Sequence, residues 1–376
     1  MASLLDRSAY PTLLSTVYLN QASLGLIGDS AVAVMDDLLH RVVRHGNVHM
    51  SDDDEVAFLD GLRVRASRLF QVEGSRIAIV GSASELLGQA PFLLPLPPGS
   101  RVLAVASDFP AITRPWLRLE ASGGCRVEFV ADRPETDLTA DLVARVDERT
   151  AVVAVGWVQY ATGTLIDVPR LRAATAAAGA RLVLDATQGV GAMPSNAGAW
   201  GADLVVSSGY KWLGGHGGVA IGAMTPDVVD RTPALPGWMG APAPFAFDAT
   251  DLSMASDARR FTQSTMSYVS VVGLTAALDQ LLSAGLDRIE HHAAGLRSRL
   301  LDVAATHGWR PFRDAGDPSA TTHIVALTSS REACASVVAR LRNQGIVCSA
   351  RGDRLRVSLA PYNDEGDIAA LAAALA

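Results

Sequence analysis

The sequence is almost without lysine. Lys and Arg together number 32 in 376 residues, and all of them except Lys211 are arginine. A guanidinium stays protonated and cannot attack a carbonyl to form an imine, whereas an amine of lowered pKa can. Arginine replaces surface lysines at little cost, so the lysine that remains is a candidate for covalent chemistry; compositional drift is the alternative. Cysteine is scarce too. Cys125, Cys334 and Cys348 make an odd number with no CxxC pair, which argues against a disulfide framework and against any metal site of zinc type. No run is long and uncharged enough to span a bilayer, and MASLLDRSAY lacks a basic segment followed by an apolar core. The expectation is a cytoplasmic enzyme with no membrane partner. Excess positive charge is absent as well: the formal net charge of -7 argues against nucleic acid and for a small-molecule partner.

What is present suits a globular chain with one large and one smaller domain, since 49% of residues are hydrophobic and 19% charged. Residues 1–30 read as an irregular arm with a short strand in VYLNQ, where Asn20 is either a turn residue or a polar group turned into a site. Helical spacing runs from Ser30 to Phe70, broken at Gly46 and at the acidic cluster Ser51 to Glu55, which reads as a solvated helix start rather than a metal site. From Arg76 to Met224 short apolar runs alternate with helical stretches: IAIV, RVLAVAS, VEFV, AVVAVGWV, RLVLDA, DLVVSS and VAIGAM. Continuous apolar strands separated by helices predict an α/β domain whose mostly parallel, doubly wound sheet is buried on both faces. Residues 31–260 are assigned to it. Residues 261–376 are assigned to a smaller α+β domain, on which the arm packs, with strands at IVALTS and LRVSLA and a last helix from Asp364 to Ala376. The proline-rich segment from Thr225 to Arg260, around GWMG, reads as an active-site or interface loop.

Ligands of such sheets lie beyond the strand C-termini. After the first run comes GSASE, Gly81 to Glu85, where Ser82, Ala83 and Ser84 form either a plain helix cap or a cradle for a phosphate. Phe109 follows the second run and is either a core residue or a ring that covers a flat cofactor. Gln159, Tyr160 and Thr162 stand at the sheet rim after the fourth run. DATQ after the fifth places Asp185 at the end of a buried strand, costly for a carboxylate unless it caps a helix or meets a cation such as a protonated pyridine. SSGYKWLGGHGG then carries Lys211 into a glycine-rich turn. Arg351 and Arg356, near and within the final strand, suit a substrate carboxylate or surface ion pairs.

Taken together these segments resemble the class V aminotransferase branch of fold-type I pyridoxal 5'-phosphate (PLP) enzymes. That branch includes cysteine desulfurases, isopenicillin N epimerase-like proteins, kynureninase and the C-S lyase of ergothioneine synthesis. The resemblance runs through nearly the whole chain and implies PLP as cofactor, covalently linked to Lys211. It implies that Asp185 pairs with the pyridine nitrogen, that Gln188 approaches the phenolic oxygen, and that Phe109 stacks on the ring. Ser82, Ala83, Ser84, Ser208 and Tyr210 would hold the phosphate. DARRFTQST is similar to the family's DARRFE-x-GT, so Thr265 would reach the phosphate of a neighbouring subunit in a homodimer. RVSLAPYND is similar to R-x-S-x-x-x-YN, which makes Arg356 the clamp for an amino-acid carboxylate, with Asn20, Gln159 and Tyr160 around the substrate.

Departures from the family narrow the reaction. A desulfurase carries its nucleophilic cysteine on a mobile loop before the final arginine strand, but Cys348 stands directly ahead of that strand and Cys334 lies in a predicted helix. Tyr210 stands where desulfurases have histidine, and Gln21 where histidine is common in this branch. VQYATG and GWMG are similar to kynureninase, yet APAPFAFD lacks the residues expected around an anthranilate group. The expected activity is β-elimination from an S-substituted cysteine in specialised metabolism. An aminotransferase or a decarboxylation-coupled oxidative deaminase of the lincosamide-pathway type is the alternative. A kynureninase-like hydrolase, a selenocysteine lyase and a catalytically silent binding protein stand further off. Specificity is expected in the loops around Gln21, His45 to His49, and Gly237 to Phe247.

Overall fold

After a two-residue strand in the arm, β1 (Val17–Tyr18), seven apolar segments pair into one sheet: β2 (Ile77–Val80), β3 (Arg101–Val105), β4 (Arg126–Val130), β5 (Thr150–Gly156), β6 (Arg181–Asp185), β7 (Leu204–Ser208) and β8 (Ala220–Met224). This computed structural model describes every residue except Asn47, His49, Pro95 and Ala376, so the expectation placed on His49 lies outside the described residues. The spatial order is β2-β8-β7-β6-β5-β3-β4. Neighbours are parallel except around β8, which runs antiparallel to both β2 and β7. The glycine-rich turn between β7 and β8 is too short for the helical crossover that a parallel return needs, so the chain comes straight back. The sheet is therefore of the mostly parallel, doubly wound α/β kind.

Helices cover both faces: α1 (Asp29–His45), α2 (Asp52–Ala57), α3 (Asp60–Phe70), α4 (Ala83–Leu93), α5 (Pro110–Ala121), α6 (Leu138–Val143), α7 (Val168–Ala177), α8 (Ala197–Trp200), α9 (Pro226–Val229) and α10 (Tyr268–Ala284). Successive strand residues point to opposite sides, so Leu103, Val153 and Leu182 join one apolar cluster with Leu62, Phe70 and Leu274. Val102, Val152 and Val183 join the other with Leu86, Trp116 and Phe261. The acidic cluster opens α2, where Asp54 N donates to Ser51 Oγ at 3.2 Å and Ser51 N donates to Asp54 Oδ2 at 2.9 Å, a reciprocal cap.

The remaining elements are α11 (Leu286–Thr306), β9 (Arg310–Pro311), β10 (Ile324–Thr328), α12 (Cys334–Asn343), β11 (Ile346–Val347), β12 (Ser349–Arg351), β13 (Arg354–Ser358) and α13 (Glu365–Leu375). An antiparallel sheet of order β12-β13-β10-β9 packs on α11, α12 and α13 through Leu296, Leu327, Val337, Leu355 and Leu371. The arm lies on this smaller unit: β1 pairs with β11, Leu4 N and Leu5 N donate to Pro361 O, and Arg7 meets Asp367 at 2.7 Å. α10 does not belong with it. Val271, Leu274, Leu278 and Leu281 are buried in the cluster of the large sheet, so a division at residue 261 falls ahead of a helix that packs with the larger unit. Among the described residues no single helix is long and apolar enough to cross a membrane.

One buried ion pair ties the units together. Arg313 Nη2, on the segment after β9, meets Asp132 Oδ1, after β4, at 2.7 Å, with side chains 4% and 0% exposed. Thr162 Oγ1 donates to Asp132 at 2.7 Å and Thr164 Oγ1 at 3.1 Å, so the carboxylate's lone pairs are used. Removing one partner leaves the other charge buried and uncompensated, whereas removing both does not. Arg313→Met is expected to cost about 3–5 kcal/mol in urea unfolding, and adding Asp132→Leu to recover much of that loss. Equal losses in the single and double variants would contradict this account.

Candidate active site

β7 is buried along its whole length and ends at Ser208, beside the ends of β6 at Asp185 and β5 at Gly156. The chain then turns through Gly209 to Gly218, and the turn is closed by Gly209 N donating to Val219 O and Gly215 N to Gly209 O. Gly214 and Gly218 have φ of +68° and +92°, the left-handed region that residues with a Cβ avoid. Lys211 sits in this turn, buried, with Nζ 5.2 Å from the Phe109 ring centroid and 5.7 Å from that of Tyr210. Burial lowers its pKa to about 8, the Arg356 and Arg351 charges push the same way, and the Asp185 carboxylate opposes them. A lysine so placed keeps about one-tenth of its molecules as the neutral amine at pH 7, far more than an ordinary lysine, and that is the form a nucleophile or base needs.

The arm holds the main chain of that lysine. Gln21 Nε2 donates to Lys211 O at 2.8 Å, and Gly25 N to Tyr210 O at 2.9 Å. A Cβ at Gly25 would overlap the Lys211 carbonyl, so only glycine allows this approach. Gln21 Oε1 in turn accepts from Tyr362 Oη at 2.6 Å and Leu26 N at 3.3 Å. Expected to act in specificity, Gln21 instead spends its amide on scaffold.

The pocket in front of Lys211 is lined by Ser82, Ala83, Ser84, Phe109, Tyr160, Asp185, Gln188, Ser208 and Tyr210, which brings most of the expected site residues together. Asp185 Oδ1 accepts from Thr187 N at 3.0 Å. Gln188 is held at three points: Nε2 donates to Ala22 O at 3.0 Å, Oε1 accepts from Trp212 Nε1 at 2.8 Å, and its carbonyl accepts from His323 Nε2 at 2.6 Å. His323 is buried, which lowers its pKa to about 4, so it stays neutral and serves as a fixed donor.

Other expected residues stand elsewhere. Gln159 is buried behind the wall, where Nε2 donates to Asp108 Oδ2 and Gly156 O, both at 3.2 Å. Asn20 does not line the pocket; its Oδ1 accepts from Ser23 Oγ at 2.8 Å, one step removed from Arg356. Arg356 is fully buried beyond the pocket, donating to Tyr160 O at 2.7 Å and Ser23 Oγ at 2.5 Å. Thr265 is exposed and outside the pocket, and His45 is exposed at the end of α1. In the proline-rich segment Trp238, Phe245 and Phe247 form a partly exposed aromatic cluster.

Asp108 was not anticipated. It stands just past the end of β3 as Asp185 stands at the end of β6, and that parallel was the available signal. Its Oδ2 accepts from Gly156 N at 2.5 Å and its Oδ1 from Phe109 N at 2.8 Å, fixing the ring that faces Lys211. Burial pushes its pKa up to about 7; the bonds from Gly156 and Gln159 restrain the rise and the Asp185 charge adds to it.

These residues fit a flat cofactor with an anionic tail, as PLP is. The buried Ser208 hydroxyl has no protein partner, and the Phe109 ring is left 41% exposed toward the pocket although it is apolar. Ser82 caps α4 by accepting from Glu85 N at 3.1 Å, which leaves the N-H groups of Ala83 and Ser84 at the helix start for an anion. Asp185 is a carboxylate at a buried strand end with room for a cation.

Known proteins share this fold. The model of the family described as "Aminotransferase class-V" matches residues 18–371. The Bacillus subtilis (strain 168) protein named uncharacterized aminotransferase YcbU is 23% identical over 363 residues, which cover 96% of this chain and 94% of that protein. A probable cysteine desulfurase of Aeropyrum pernix is 27% identical over 341 residues, 86% of this chain and 81% of the relative. Among solved structures, the cystine C-S lyase C-DES in complex with cysteine persulfide has the same fold, with a TM-score of 0.89 at 20% identity over 97% of this chain and 98% of the other.

Two outcomes are expected from this geometry. In cofactor-free protein the neutral amine of Lys211 is the reactive form, so the rate of PLP uptake followed by absorbance should climb with pH and level off above about 8. A rate insensitive to pH between 6 and 9 (about the range that brackets such a lysine) would contradict the lowered basicity. Gly25→Ala should push the arm off the lysine turn and destabilise the protein by about 1–3 kcal/mol, read from thermal unfolding.

Proposed function

Because the chain belongs to the class V aminotransferase family, we propose that it cleaves the C-S bond of an S-substituted cysteine by β-elimination, working as a homodimer on a small amino-acid substrate. Its cofactor is PLP, which when bound supplies an electron-poor ring that takes up negative charge from the substrate's Cα. Ser82, Ala83, Ser84, Ser208 and Tyr210 would hold the phosphate, and Phe109 would cover the ring. Asp185 would keep a proton on the pyridine nitrogen and Gln188 would approach the phenolic oxygen. Lys211 Nζ, its pKa lowered to about 8, would accept the Cα proton. Arg356, which reaches the pocket wall by donating to Tyr160 O at 2.7 Å, would orient the substrate through its carboxylate, and Tyr160 closes the wall against Phe109, their rings 5.4 Å apart. Loss of the Cα proton and departure of the sulfur leave a thiol, with pyruvate and ammonia after hydrolysis.

The observation that carries this reading is where the cysteines are. Cys334 and Cys348 are buried in the apolar core of the smaller unit, burial pushes the Cys348 thiol up to about 12, and no cysteine lines the pocket. A thiol of that pKa is not a nucleophile at neutral pH, so sulfur leaves on its own substituent instead of passing to the protein. The names of a relative and of a structural neighbour, a probable cysteine desulfurase and a cystine C-S lyase, support a reading that involves C-S chemistry. The aminotransferase name of the Bacillus subtilis relative favours the second reading, transamination or decarboxylation-coupled oxidative deamination of a similar conjugate. Thr265 supports the dimer: it is exposed and away from its own chain's pocket, as a residue serving a partner's phosphate has to be.

The deciding experiment incubates PLP-loaded enzyme with a panel of S-substituted cysteines and follows thiol, pyruvate and ammonia together. Stoichiometric release of all three, abolished in Lys211→Ala, is the expected result. Turnover without thiol, with the cofactor drifting to its amine form or carbon dioxide appearing, would establish the second reading instead.

A further inference from the structure

Three arginines of this chain are buried, and two of them carry their own counter-charge: Arg63 pairs with Asp60, and Arg313 with Asp132. The third, Arg356, does not. Its hydrogen bonds go to Tyr160 O and Ser23 Oγ, both neutral, and its buried Nε has no partner. Arg351 stands beside it, donating through Nη1 to Ala350 O at 2.7 Å and through Nη2 to the same Ser23 Oγ at 2.9 Å. Two guanidiniums thus converge on one uncharged hydroxyl, whose own proton is committed to Asn20 Oδ1.

The hairpin β12–β13 explains the convergence. Ser349 lies opposite Arg356 and Arg351 opposite Arg354 in the register, and side chains two apart share a face, so Ser349, Arg351, Arg354, Arg356 and Ser358 lie on one side. Leu355 and Val357, which alternate with them, are in the core of the smaller unit. The face so formed holds Arg354, which meets Asp353 at 3.3 Å, the two cations Arg351 and Arg356, which have no carboxylate partner among the described residues, and the buried hydroxyls of Ser349 and Ser358, neither of which has a hydrogen-bond partner there. Arg356 donates at 2.7 Å to the carbonyl of Tyr160, which lines the pocket in front of Lys211, so this face borders the reacting centre.

A single α-carboxylate answers one of these cations and leaves the other partly buried and uncompensated, an arrangement that costs more than it returns. We propose that Arg351 and the hydroxyls around it form a second anion site, and that the natural substrate carries a carboxylate on its sulfur substituent in addition to its α-carboxylate. The inference rests on the amino-acid lyase reading above and gives it a substrate class: acidic cysteine conjugates rather than neutral or aromatic ones.

The test uses holoenzyme and two probes of nearly equal shape, S-carboxymethyl-L-cysteine and its neutral amide S-carbamoylmethyl-L-cysteine. Binding is titrated through the cofactor's absorbance, and thiol release is measured separately. Wild type should prefer the acid by about tenfold or more in both Kd and kcat/KM. Arg351→Met should bring that ratio close to one, and Arg351→Lys, which keeps the charge and loses the fork, should retain part of it. A wild-type ratio near one, or a preference that survives Arg351→Met, overturns the proposal. So does an equal loss for both probes in Arg351→Met, since that places Arg351 on the α-carboxylate. Absence of thiol from either probe would count against the lyase reading alone, because the binding ratio still decides the second site. If Arg351→Met fails to load cofactor, the wild-type ratio and Arg351→Lys carry the decision.

Discussion

The structure depends on keeping one amine out of water. A buried ammonium is expensive, and the protein lowers the cost by letting Lys211 lose its proton readily, with burial and two neighbouring guanidiniums acting in the same direction. Everything that fixes the lysine follows from that need. β7 delivers it from a fully buried strand, glycines in the left-handed region bend the chain behind it, and the arm bonds its carbonyl. Because Gln21 also accepts from Tyr362, the smaller unit and the lysine turn are joined through one side chain. A displacement of the arm is therefore felt at the nucleophile without any contact to a ligand.

Two carboxylates at the same sheet edge are set apart by their surroundings. Asp108 is enclosed by backbone amides and Gln159, and at a pKa of about 7 it shares its proton with water near neutrality. Near neutrality it therefore carries only about half a negative charge beside Asp185. The same carboxylate sets the Phe109 amide and the end of β5, so the ring's position is tied to the strand that neighbours Asp185.

Much of this was legible in the order of residues. The strands were continuous apolar runs, and a lone lysine after one of them, with an aspartate after its neighbour, marked the sheet edge that holds the pocket. What could not be read came from contacts distant in sequence. Gln21 and Lys211 meet only because the arm crosses the molecule, and a glutamine after a strand looks the same whether it faces a substrate or, as Gln159 does, an aspartate behind the wall. The apolar spacing of α10 shows that it is buried but not against which sheet, hence the division expected at residue 261. His323, a neutral donor to the Gln188 carbonyl, gave no local sign at all, since nothing around it in sequence resembles a site.

The arginine hairpin shows how such a site differs from structural burial of the same side chain. Arg313 is compensated in place because Asp132 and the Thr164 hydroxyl satisfy it inside the chain. Arg356 and Arg351 face each other's charge across Ser23, a repulsion that weakens the fold while no anion is present. Burial and the Arg351 charge together lower the Arg356 pKa to about 9, still above the neutral range, so protonation is kept and the cost is borne as strain. An anion that enters relieves that repulsion and by mass action stabilises the folded state in proportion to its affinity. Residues that oppose stability in the free protein and favour it in the bound one are where selection for a ligand outweighs selection for the fold.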